Sequence, residues 1–180
     1  MDLSMYPNLA TIVQQLGGIK KTIVNKKRLQ QSEEEFARIP ADFLMKIEQE
    51  IPQGVKVFTN YITPSAFIIL ELHTLRIIPS RDVIWIYPSI TTMRMNFIPY
   101  SKQHSLFMQT RTGEAFNLGL ATTGGFSKKR PLDVHIDNIA SVVSESCPGM
   151  LLGWSEEIAK VANKNYAALV QAVDEKNSIQ

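Results

Sequence analysis

The sequence predicts an α+β fold, in which a curled antiparallel sheet or partial barrel follows an N-terminal helical segment and carries a C-terminal helical cover. Three observations predict it. Apolar residues recur at helical spacing over residues 1–54. From Val55 to Leu120 the pattern becomes one of short runs rich in Val, Ile, Phe, Tyr and Thr, parted by turn residues with no helical period between them. Helical spacing then returns from Asp133. Two regions are expected, a helical segment over 1–54 and a sheet domain with its helices over 55–180.

In the first region Leu9, Ile12, Val13 and Leu16 lie on one helical face and stop at Gly17-Gly18, a helix C-terminus. Ser32 and Glu35 have the spacing of a capping box ahead of Phe36 and Ile39. Pro40 suits the first turn of a helix carrying Phe43, Leu44, Ile47 and Ile51, which Pro52 and Gly54 end.

The strand region reads as hairpins. "VKVFTNYI" and "AFIILEL" flank Thr63-Pro64-Ser65, and "TLRII" precedes a bend over Pro79 to Asp82. "VIWIY" follows, then "TMRMNFIP", then "SLFMQTRTGEAFNLGL", which folds about Thr112-Gly113. Strands at this spacing without helices between them imply antiparallel pairing throughout. In "IIPSRDVIWIYPS", Val83, Trp85 and Tyr87 should face one side of the sheet and Ile84 and Ile86 the other. Both faces are then apolar, and the stripe is read as core.

In the last region Asp133 is placed as a cap, and Ile136, Ile139 and Val143 form an apolar face that ends at Cys147-Pro148-Gly149. A second helix should open at Ser155 and carry Ile158, Val161, Ala162, Leu169, Val170 and Val173, with Glu156 and Glu157 favourably placed on its dipole. Trp154, between Gly153 and that cap, is expected to be buried against the sheet.

The chain of 180 residues has 19 Lys plus Arg against 17 Asp plus Glu, a net charge of +2 that gives no reason to expect nucleic acid as a partner. Cys147 stands alone, so no intrachain disulfide forms and a reducing compartment is expected. The N-terminus has no basic stretch ahead of an apolar one, and no apolar run approaches the length of a membrane helix. A soluble, cytoplasmic protein is the expectation.

The stretches "IIPSRDVIWIYPS", "SLFMQTRTGEAFNLGL" and "CPGMLLGWSEEIAKVANKN" together resemble an uncharacterised bacterial family with a pleckstrin-homology-like domain. The resemblance runs from about Val55 to Val173, and its most specific part is Pro148, a small apolar run, Gly153, Trp154, Ser155 and Glu157. It implies the fold rather than an activity. Members of that family often carry membrane helices ahead of the sheet, where this chain has amphipathic segments. In eukaryotic members of the wider fold, phosphoinositide binding usually uses basic residues in the first hairpin turn, and "YITPSAF" offers none.

Catalytic signals are weak. His73, His104 and His135 lack the close His, Cys and Asp spacing of a zinc site, so no metal is expected. "ATTGGFSKKRP" has no glycine directly before a Lys-Ser/Thr pair and is not a nucleotide loop, and no cofactor is implied. Cys147 in "SCPG" reads as a small buried side chain rather than a nucleophile. Glu156 and Glu157 point to different helix faces, which excludes shared acid–base work.

Two basic clusters remain, Lys20, Lys21, Lys26, Lys27 and Arg28 near the start, and Lys128, Lys129 and Arg130 late in the chain. Glu33, Glu34 and Glu35 offset the first. The second, behind Gly124-Gly125, is the candidate anion site, with a solvated connection as the plainer reading. The expected function is a non-catalytic interaction or scaffold module, not an enzyme, that binds a protein segment or its own copy as a homo-oligomer. A peripheral domain for anions or lipid headgroups at a membrane surface stands second.

Overall fold

The fold is described from a computed structural model, over residues 2–22 and 25–178. It is α+β, with six helices and two four-stranded sheets among the described residues, and neither sheet closes into a barrel. The chain divides into two compact units, Met1–Ser80 and Arg81–Gln180, where the sequence reading divides it after Gly54. The strands therefore form two sheets instead of one. The break falls at Pro79, after which a short 3-10 turn over Ser80–Asp82 interrupts the extended chain.

The first unit joins helices α1 (Pro7–Gln15), α2 (Lys26–Ala37) and α3 (Ala41–Glu50) to strands β1 (Val55–Val57), β2 (Asn60–Ile62), β3 (Ala66–Glu71) and β4 (Thr74–Pro79). The strands pair antiparallel in chain order. "VKVFTNYI" is thus a hairpin in itself, turned at Phe58, which has a positive φ of 54°. Leu9, Ile12 and Val13 of α1 and Leu44 and Ile47 of α3 form one core with Ala66, Ile68 and Leu70 of β3. Gly17 and Gly18 take positive φ just past α1, as the helix stop predicts.

Ser32 is not a cap. It lies inside α2, buried, with its hydroxyl donating to the Leu75 carbonyl, while Glu35 meets Arg76 at 3.1 Å. Capping spacing is common along any polar helix, and here tertiary partners on β4 use both side chains instead. Pro40 sits one residue before α3, and the helix ends into the Ile51–Gln53 turn.

The second unit holds β5 (Val83–Met95), β6 (Ile98–Thr110), β7 (Ala115–Gly124), α4 (Asp133–Val143), β8 (Leu151–Leu152), α5 (Glu156–Lys164) and α6 (Tyr166–Asn177). The sheet order is β7-β6-β5-β8. β8 pairs parallel with Trp85 and Ile86, so the sheet is mixed rather than wholly antiparallel. Two leucines beside a buried strand suffice for such a graft, which strand counting cannot foresee.

The stripe in β5 is core, as expected: Val83, Ile84, Trp85 and Ile86 are all buried. Its facing differs. A bulge between Val83 and Trp85 leaves Ile84 unpaired, and Ile84 joins Trp85, Leu169 and Val173 in one cluster beneath α5 and α6. Asp133 begins α4 as a helical residue and does not cap it. The expected single last helix breaks at Asn165, whose non-helical backbone lets its side chain accept from the Ala168 amide and start α6. Arg111 ties α6 to the β6–β7 turn through Asp174 at 2.7 Å, and its guanidinium holds that carboxyl below the usual range.

Trp154 is 55 % exposed, which corrects the expectation that it is buried. Gly153 has φ 90°, and the turn it makes leaves the indole on the outside of Trp85, with ring centroids 5.5 Å apart. Ser155 does cap α5, its hydroxyl accepting from the Ile158 amide at 3.4 Å. Because that bond is long, Ser155→Ala is expected to lower stability by about 0.5–1 kcal/mol, read as a shift of the urea midpoint. A midpoint equal to that of the unchanged chain would show that the cap contributes nothing.

Candidate functional site

The candidate site is the outer half of the β5–β6 hairpin with the segment that follows β7. Thirteen-residue strands run past the covered part of the sheet: β5 is buried from Val83 to Ile86 and exposed from Ile90 to Met95. The hairpin is closed by a two-residue turn, Asn96-Phe97, between the paired Met95 and Ile98. "TMRMNFIP" is therefore a hairpin end and not a strand. Both turn residues have positive φ, 48° and 65°, the geometry that matches the twist of paired strands and usually selects Asn-Gly. Asparagine fits that rule and phenylalanine does not.

Phe97 is 95 % exposed. Around it stand Met95, Ile98 and Tyr100, also exposed, with the Tyr100 hydroxyl 3.7 Å from the Met93 sulfur. A second bulge, between Met93 and Arg94, leaves Tyr100 without a register partner on β5 and increases the twist there. Farther back on the sheet, Ile90 and Leu120 are exposed as well. Isolated surface apolar residues need no explanation, but a concentration of them at one end of a projecting hairpin does.

The segment after β7 is fastened to this hairpin. The Gly125 amide donates to the Tyr100 carbonyl at 3.1 Å, and a Cβ on Gly125 would stand 2.1 Å from the Pro99 carbonyl oxygen. Only glycine permits that approach. Next to it, Phe126 is 76 % exposed, and the Lys102 ammonium donates to the Ser127 carbonyl at 2.9 Å. Lys128, Lys129 and Arg130 follow, all exposed, with Arg130 3.6 Å from Asp133. The predicted late basic loop thus lies beside an apolar hairpin end. The early cluster stands in the other unit, where Arg28 meets Glu71 at 3.2 Å.

Other predicted positions are not brought together. His104 is buried with Nε2 2.9 Å from the Thr123 hydroxyl, while burial lowers the pKa of His135. His73 belongs to the first unit, with Nδ1 3.2 Å from the Gly18 carbonyl. Among the described residues no group of three His, Cys, Asp or Glu side chains could hold a metal ion. Cys147 is buried, and Glu156 and Glu157 stand exposed in the first turn of α5. A cavity of about 200 Å³ in the first unit is lined by Glu35, Phe36, Ile39, Leu75, Arg76 and Ile77. It is smaller than most small-molecule sites, and its charged pair is mutually engaged.

Among the described residues no helix is long and apolar enough to cross a membrane. No family model, curated protein or solved structure matches the chain.

Proposed function

We propose that the chain is a non-catalytic interaction module that docks through the outer β5–β6 hairpin and the adjoining 125–130 segment. The observation that carries this reading is the row of exposed Met95, Phe97, Ile98 and Phe126 on backbone held by strand pairing and by the Gly125–Pro99 approach. Such a rigid apolar projection suits the capture of a protein segment or a second copy. The pleckstrin-homology-like reading is supported by the chain order of a four-stranded meander, a three-stranded meander and then helices. A second occupant, an anionic headgroup surface, is favoured by the charge of the same hairpin.

The test is a photo-crosslinking side chain placed at position 97, with a second at exposed Lys160 on α5 as the control. Discrete adducts, protein or lipid, are expected from position 97 and none from position 160. Absence of any adduct at 97, or equal labelling from both positions, would overturn the reading.

A further inference from the structure

We infer that the β5–β6 hairpin end inserts into the interfacial zone of an anionic lipid bilayer, with Phe97, Ile98 and Phe126 entering and the neighbouring cations held at the headgroups. The inference rests on the docking reading above and names its occupant. Charge is the first argument. Residues 88–107 and 115–130 carry five cations, Arg94, Lys102, Lys128, Lys129 and Arg130, and not one Asp or Glu. The nearest carboxylates in sequence are Glu114, at the opposite end of β7, and Asp133, which meets Arg130. A near-neutral chain thus carries cations and no carboxylate along a hairpin end that also exposes aromatic and aliphatic side chains. An apolar end bordered by Lys and Arg complements a surface that is negative outside and hydrocarbon within.

Backbone satisfaction is the second argument. Unpaired polar backbone is costly at the acyl boundary, and strand pairing that runs out to Met95 and Ile98 leaves only the backbone of the Asn96-Phe97 turn to be satisfied by water and headgroups in the interfacial zone. The third is conformational. Phe97 occupies a left-handed position at φ 65°, where glycine would be easier, and spends its side chain in solvent. Strain held at an exposed position points to use of the side chain there.

Phe97→Gly separates fold from docking, since it relieves the left-handed position while removing the ring. The full chain would be floated with vesicles of phosphatidylcholine alone and of phosphatidylcholine with phosphatidylserine, at low and raised salt. The expected result is flotation only with phosphatidylserine, weakened by salt. Phe97→Gly should reduce it about tenfold with a melting temperature equal to or above that of the unchanged chain. Lys128→Ala, Lys129→Ala and Arg130→Ala together should reduce it by at least about fivefold, the effect of one cation at an anionic surface. No flotation with phosphatidylserine at low salt, or equal flotation of Phe97→Gly, overturns the inference. If it fails while position 97 still crosslinks to protein, the docking module stands with a protein occupant. If position 97 yields no adduct of either kind, both readings fall.

Discussion

Trp85→Ala is expected to lower stability by about 3–5 kcal/mol, a large part of what a domain of this size possesses. Trp85 is 2 % exposed and joins its own strand to the β8 segment and to α6. Its indole Nε1 donates to the Gly153 carbonyl at 2.8 Å, which holds the β8 segment to β5. Its ring lies 4.1 Å from that of Tyr87 and 5.5 Å from that of Trp154, and it shares a cluster with Leu169 and Val173 of α6. Alanine would leave a cavity the size of an indole and strand an acceptor. Urea titration followed by circular dichroism should show a reduced midpoint at unchanged slope. Trp154→Ala, which removes a half-exposed ring, should cost far less, so equal losses for the two variants would refute this division of roles. Trp85→Phe should fall between them, restoring most of the volume but not the bond to Gly153.

Glu48→Ala should cost about 2–4 kcal/mol, from a position that carries no capping motif of its own. Helix α1 begins at Pro7 behind Tyr6, which supplies no side-chain cap. The carboxylate of Glu48, on α3, accepts instead from the amides of Asn8 at 2.7 Å and Leu9 at 2.9 Å. Both bonds are charge-assisted and the negative group sits at the positive end of the helix dipole. Glu48 is buried, so its loss would leave the buried Leu9 amide without an acceptor, while the partly buried Asn8 amide would exchange its carboxylate for water. Amide hydrogen exchange is the discriminating measurement: Asn8 and Leu9 should lose protection in the variant, and Glu48→Gln, which keeps one acceptor, should recover part of it. Unchanged protection at both amides would show that α1 is held by its apolar face alone.

Part of the local chemistry was legible in the sequence, where the partner of a residue lies within a few positions of it, although the cap at Asn165 was not. The stop of α1 at Gly17-Gly18 and the cap of α5 at Ser155 followed from backbone geometry and hydrogen-bond reach, and so did the turn about Gly113. The α+β class and the core character of Val83 to Ile86 followed from periodicity, because apolar burial dominates the free energy of folding. The basic residues at 128–130 could be named from the sequence as well.

Tertiary structure alone decided what those residues meet. Glu48 reaches α1 across 40 positions and Ser32 reaches β4 across 43, distances over which no spacing rule operates. Trp154 and Trp85 are the same residue type beside similar neighbours, yet Gly153 turns one outward and strand pairing buries the other. The same ambiguity hid the docking surface. Met93, Met95, Phe97 and Ile98 read as the interior of a strand, because apolar side chains look alike in sequence whether a sheet covers them or the hairpin has run beyond its cover. Where the cover ends is a property of how far α5 and α6 extend over β5, and only the packed chain contains it.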